Sequence, residues 1–217
     1  MSEFSSRRIT MVDTQVRPSD VTKYPIIAAM LAVPREAYVP MAKREAAYVG
    51  ENIEIAPGRV MLEARTLAKM LDALDIQPGD RVLDLACGMG YSTAVIAEMA
   101  NQVVGVEEIS TLAAAAGEEL AAQSVTNATV IAGSVAAGAP DHAPFDVIVL
   151  QGGVETLPVA LLAQLADGGR IGALFMQGAL GIVKIGHKSQ GIVTWRFAFN
   201  AAAPVLPGFA APREFAL

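Results

Sequence analysis

From residue 81 onward the chain alternates two hydrophobic periods. Short apolar runs at 81–86, 102–106, 128–132 and 145–150 are rich in Val, Ile and Leu, the pattern of strands buried on both faces. Between them, 91–100, 111–123 and 157–165 carry apolar residues at helical spacing. Strands alternating with helices of about ten residues predict a doubly wound, mostly parallel sheet. After Asp167-Gly168-Gly169 the texture changes. Segments 170–176, 181–188 and 192–199 read as successive strands joined by short Gly-containing turns, a C-terminal antiparallel section.

The first third is less regular. Residues 1–18 are polar and read as extended or loosely held. Ser19-Asp20 offers N-cap chemistry for a helix with Ile26, Ile27, Met30 and Leu31 on one face, ended by Pro34. Residues 34–58 hold prolines, tyrosines and acids in an irregular connection, and 62–74 forms a helix with Leu67, Met70, Leu71 and Leu74 on one face. The expected division is an N-terminal helical and irregular extension, 1–62, packed on a core domain, 63–217.

Composition narrows the function classes. At 217 residues, 53% hydrophobic and 18% charged, the chain can bury one substantial core. No apolar run approaches the length of a membrane span. A net charge of −6 without a dense Lys/Arg cluster argues against nucleic acid as partner. Cys87 is the single cysteine, and residues 1–18 lack the apolar stretch of a secretory signal; both predict a cytoplasmic protein. The two histidines, His142 and His187, are far apart and read as surface or loop residues, so no metal site is predicted.

Candidate chemistry sits where the first strand of the regular region runs into VLDLACGMGYS, residues 82–92. In an open parallel sheet, ligands lie outside the carboxyl ends of the strands. Gly88 and Gly90 let the backbone turn sharply and approach a ligand, and the helix that follows aims its first amides into that space. A dinucleotide fingerprint needs a third small residue, and Thr93 stands there, so NAD fits poorly. An acid before a Gly-rich turn, Asp84 with Gly88 and Gly90, resembles instead the pattern of S-adenosylmethionine-dependent methyltransferases, whose cofactor has no pyrophosphate to cradle. The next strand ends in Glu107, whose carboxylate can accept two hydrogen bonds from a ribose diol.

Four stretches, VPREAYVP (33–40), QPGDRVLDLACGMGY (77–91), APFDVIV (143–149) and LADGGR (165–170), make the chain resemble the protein-L-isoaspartate O-methyltransferases over roughly residues 20–190. The resemblance implies a Rossmann-like α/β fold with a seven-stranded sheet and a reversed last strand. It also implies S-adenosylmethionine as methyl donor and a carboxylate of a damaged protein or peptide as acceptor. On the cofactor side it points to Asp84, Ala86, Gly88, Gly90 and Glu107. Ser134 stands where the family has an acid near the adenine.

One family segment is rewritten. Aligned backwards from Pro78, VMLEA (60–64) replaces Thr-Ile-Ser-x-Pro, whose hydroxyls engage the substrate carboxylate, and neither Val60 nor Leu62 can donate a hydrogen bond. Arg59, Leu62 and Gln151 are the acceptor-pocket candidates, with Arg59 or Arg65 able to grip a carboxylate bidentately. No triad or metal cluster is evident, which suits a carboxylate nucleophile that needs no base. Three readings stay open: isoaspartyl methyl transfer, the same fold with another acceptor, and a non-catalytic module that keeps the pocket.

Overall fold

The computed structural model describes residues 3–212. Its centre is a seven-stranded sheet built from β3 (Arg81–Leu85), β4 (Gln102–Glu107), β5 (Ala128–Ala132), β6 (Phe145–Val154), β7 (Leu165–Gln177), β8 (Leu180–Ser189) and β9 (Ile192–Asn200). The spatial order is β5-β4-β3-β6-β7-β8-β9. The first five strands in that order pair in parallel, β8 is antiparallel to β7, and β9 is antiparallel to β8. The reversed strand is therefore the penultimate one, and β9 turns back to the original sense.

Central strands are buried on both faces, as their unbroken apolar runs require. Val82, Leu83 and Leu85 of β3 and Val147 to Leu150 of β6 are fully enclosed. Helices α4 (Tyr91–Ala97), α5 (Ser110–Ala122) and α6 (Val159–Ala163) connect the parallel strands. The predicted 157–165 helix is thus reduced to five residues, and 165–169 joins β7. Proceeding from β3 the chain steps outward to β4 and β5, then returns to the other side of β3 as β6. The switch point of the sheet lies between β3 and β6, where a crevice opens at the strand ends.

The N-terminal third departs most from its polar appearance. Helix α1 (Glu3–Met11) runs on through a wider π turn, Val12–Val16, and a 3-10 turn, Arg17–Ser19. Met11, Val12 and Val16 are buried, and the Arg8 guanidinium donates to the carbonyls of Leu31 and Ala32 at 3.1 and 3.0 Å. Docking of three apolar residues and one arginine, not helix propensity, orders this segment. Helix α2 (Tyr24–Ala32) begins after Lys23 with Pro25 in its first turn, four residues beyond the expected cap. Ser19 instead closes the preceding turn, its Oγ donating to the Gln15 carbonyl at 2.8 Å.

Residues 34–58 are more ordered than an irregular connection. Two 3-10 turns, Arg35–Tyr38 and Met41–Ala46, precede a hairpin of β1 (Ile53–Ala56) and β2 (Arg59–Met61). Pro57-Gly58 makes its turn, with Gly58 at φ +69°. Strands of four and three residues are too short to show a period of two, so the pattern hid them. Helix α3 (Ala64–Leu74) follows, with Leu67, Met70, Leu71 and Leu74 buried.

At the other end, the Pro-rich tail docks along its own sheet. The Gly153 N–H donates to the Pro204 carbonyl and the Leu206 N–H to the Gly153 carbonyl, both at 2.8 Å, and Phe209 is completely buried. Trp195 meets Phe175 edge-on and Phe199 is buried, whereas Phe197 is 61% exposed on the outer strand. Phe215 lies outside the described residues. Among those residues no helix is long and apolar enough to cross a membrane.

Candidate active site

Strand β3 delivers its chain end into a tight, stitched loop. Ala86 takes φ +63°, a conformation that favours glycine, while its N–H donates to the Val106 carbonyl of the neighbouring strand at 2.8 Å. Gly88 at φ +59° and Gly90 at φ +94° complete the turn into α4. A Cβ on Gly90 would press on Ala116 of α5 at 3.2 Å, so glycine here permits helix and loop to approach closely.

Asp84 faces the switch-point crevice and is wholly buried. Its Oδ2 accepts from Ser92 Oγ at 2.6 Å and Thr93 Oγ1 at 2.7 Å, and its Oδ1 accepts from Gln151 Nε2 at 2.8 Å. Burial raises its pKa to about 6; the three donors pull against burial, and the charge of Glu107 adds to it. Thr93, which fits a dinucleotide fingerprint poorly, thus has a positive task in binding the strand-end acid. Gln151 spans the crevice from β6, which continues four residues past its predicted end.

Glu107 ends β4 and is also fully buried. Its Oε2 accepts the Gly88 N–H at 2.8 Å, its Oε1 accepts the Ile109 N–H at 3.0 Å, and Arg59 Nη2 forms a short ion pair with Oε2. The loop after β5 hangs from the same residue, Gly133 N–H donating to the Glu107 carbonyl at 3.0 Å, and leaves Ser134 exposed beside it. The glycine loop, Glu107 and the Ser134 loop are therefore brought together at adjacent strand ends.

The hairpin β1–β2 lies over this cradle. The space a Cβ on Gly88 would take is filled by Ile55 Cδ1. Arg59 is 4% exposed at the side chain, and its Nη1 makes no hydrogen bond. Beneath the hairpin remains a cavity of about 10 Å³, lined among others by Val60, Leu62, Cys87, Tyr91 and Gln151. A second cavity of about 120 Å³ opens on the far side of Arg59, against Ile109 and Val135. Neither approaches the several hundred Å³ of a cofactor-sized site.

The acceptor-side candidates separate clearly. Leu62 and Gln151 face the small cavity, and Arg59 faces the cradle. Arg65 is a solvent-facing helix residue, 43% exposed and 3.5 Å from Glu63. Glu63 turns away to accept from Thr66 Oγ1 at 2.7 Å. His142 and His187 are exposed, and among the described residues no cluster of metal-ligating side chains forms. The Cys87 thiol is pushed well up by burial and by the charges of Asp84 and Glu107, so it stays protonated.

Three contributors escape a reading by motif. Ser92 and Thr93 could have been suspected from two hydroxyls opening the helix after the glycines. Arg35 is the third: wholly buried, it donates from Nε to the Ala47 carbonyl and from Nη2 to the Leu62 carbonyl, both at 2.7 Å, and lies 4.7 Å from the Tyr91 ring centroid. It fixes the backbone of the rewritten segment. Its only signal was an arginine set between apolar positions in VPREAYVP.

The family model described as protein-L-isoaspartate(D-aspartate) O-methyltransferase matches residues 8–191. A protein-L-isoaspartate O-methyltransferase of Methylorubrum extorquens (strain PA1) is 40% identical over 164 residues, 76% of this chain and 72% of that protein. One from Rhodopseudomonas palustris (strain HaA2) is 38% identical over 170 residues, covering 78% and 69%. Among solved structures, a Plasmodium falciparum protein described as a protein-L-isoaspartate O-methyltransferase in complex with S-adenosyl-L-homocysteine superposes with a TM-score of 0.79. It is 20% identical and covers 95% of this chain and 99% of its own, a likeness of fold. A family match across most of the chain, with relatives at 38–40% identity, places it without ambiguity: the chain belongs to the protein-L-isoaspartate(D-aspartate) O-methyltransferase family.

Proposed function

We propose that this chain is a cytoplasmic S-adenosylmethionine-dependent O-methyltransferase that esterifies a carboxylate on a damaged protein or peptide, with residues 63–217 as the cofactor domain and 1–62 as its covering extension. The observation that carries the reading is the convergence of Asp84, Gly88 and Glu107 at the carboxyl ends of the adjacent strands β3 and β4. The donor set fits the cofactor. Glu107, once released by Arg59, can offer its carboxylate to a ribose diol, Asp84 is a carboxyl beside the crevice for the cationic methionine end, and Ser134 can hydrogen-bond an adenine amino group. When bound, S-adenosylmethionine supplies an electrophilic methyl group on a sulfonium.

The remaining work falls to orientation. A carboxylate is already a nucleophile at neutral pH, so no side chain has to remove a proton, and alignment of the two reactants can supply most of the acceleration. The surroundings agree: Cys87 is held protonated, and burial raises the Tyr91 phenol as well. Arg35 holds the Leu62 backbone in place.

The test is transfer of a tritiated methyl group from S-adenosylmethionine to an isoaspartyl peptide, with its aspartyl counterpart as control. Label is expected in a base-labile ester on the isoaspartyl peptide alone. Cofactor binding without that ester would mean a different acceptor, the reading that the absence of hydroxyls at Val60 and Leu62 favours.

A further inference from the structure

We infer that Arg59 is an exchangeable carboxylate receptor: it pairs with Glu107 while the hairpin is closed, and it receives the anionic acceptor once the cofactor claims Glu107. The inference rests on the reading above and adds to it a residue that determines acceptor charge and a binding order.

The chain occupies its own cofactor cradle. Glu107 can serve a ribose diol only if its carboxylate is free, yet one oxygen is held by Arg59 and by the Gly88 N–H, the other by the Ile109 N–H. Ile55 fills the concavity over Gly88 in the same way. Both side chains belong to one short hairpin, residues 53–61, so a single displacement clears both. Ile53, Ile55 and Met61 seat the hairpin on the core, and their burial sets the cost of opening it. Its turn, Pro57-Gly58, is exposed, and its two ends are tied by Asn52 Nδ2 to the Ala202 carbonyl at 2.8 Å and by Glu63 N–H to Asn52 Oδ1 at 2.9 Å. Those ties and Arg35, bonded to the Leu62 carbonyl, flank the moving part and form natural pivots.

Displacing Arg59 from Glu107 creates a second need. The guanidinium, 4% exposed and with Nη1 lacking a partner, lines the cavity it shares with Glu108, Ile109 and Val135, and once parted from Glu107 it gains from a new anionic partner. The residue precedes the positions where two hydroxyls are missing, Val60 and Leu62. Arginine grips a carboxylate bidentately, so an acceptor carboxylate satisfies both the stranded cation and the vacated recognition role. Cofactor and acceptor then bind with positive coupling, because each stabilises the open hairpin.

Two measurements on the whole chain test this. In amide hydrogen exchange, S-adenosylhomocysteine should speed exchange in 53–61 while slowing it in 84–90. Uniform slowing, or no change in 53–61 despite binding, overturns the displacement. In calorimetry, S-adenosylhomocysteine should raise the affinity for an isoaspartyl peptide by about tenfold, the factor gained if nine in ten free molecules are closed. Arg59→Gln should bind S-adenosylhomocysteine about tenfold more tightly than the wild type and lose the coupling, whereas Arg59→Lys should retain part of it. Coupling that survives in Arg59→Gln overturns the carboxylate exchange. Binding to Arg59→Gln but not to the wild type supports the closed hairpin. Failure of both proteins to bind removes the methyltransferase reading itself, and this inference with it.

Discussion

Replacing Glu107 by alanine is expected to lower the unfolding free energy by about 3–5 kcal/mol, the range for breaking a buried ion pair from one side. The cost has identifiable parts. Arg59 keeps its charge in an enclosed position with no counter-ion, and the Gly88 and Ile109 N–H groups lose their acceptor. Glu107→Gln retains an acceptor oxygen for one of those amides and should cost roughly half as much. Adding Arg59→Met to Glu107→Ala removes the stranded cation and should recover about 2 kcal/mol, because an apolar side chain of similar volume pays no desolvation penalty. Urea denaturation followed by circular dichroism reads all of these. An alanine variant within 1 kcal/mol of wild type would mean that the pair is hydrated and the cradle open.

The second large effect belongs to Arg35. Its alanine variant should lose about 4 kcal/mol, combining a cavity with two buried carbonyls, those of Ala47 and Leu62, left without donors. Loss of the contact with Tyr91 adds to this. Arg35→Lys should cost about 2 kcal/mol, since a single ammonium on a straight stem cannot reproduce the fork that reaches both carbonyls. Thermal denaturation at fixed protein concentration gives the comparison. Equal melting temperatures for Arg35→Lys and wild type would show that charge alone, not the fork, holds the Leu62 segment.

Why was the β3–β4 half of the site legible in sequence and the covering half not? Asp84, Gly88 and Glu107 lie at ends of strands whose apolar runs are unmistakable, and the parallel register pairs Asp84 with Gly105 two residues before Glu107. Topology alone then brings acids and glycines together. The hairpin had no such signature. Ile55 and Arg59 lie in strands of four and three residues whose pairing is non-local to any motif, and their contacts with Gly88 and Glu107 span 33 and 48 positions. For the same reason α1 was invisible: Met11, Val12 and Val16 are apolar residues in a polar stretch, and only their docking against α2 and α3 orders them. Gln151 was placed by its strand end, but its bond to Asp84 depends on β6 continuing past the apolar run that ends at Leu150. Arg59 shows the limit most sharply. Sequence identifies a cation able to hold a carboxylate, and only the fold reveals that the carboxylate it holds is the protein's own.

The most direct test of the whole account is a calorimetric titration of the wild-type chain with S-adenosylhomocysteine, and in parallel with NAD. A cradle of Asp84, Gly88 and Glu107 without a pyrophosphate site predicts saturable heat with S-adenosylhomocysteine and none with NAD. Saturable binding of NAD, or no binding of S-adenosylhomocysteine at millimolar concentration to either wild type or Arg59→Gln, would contradict it.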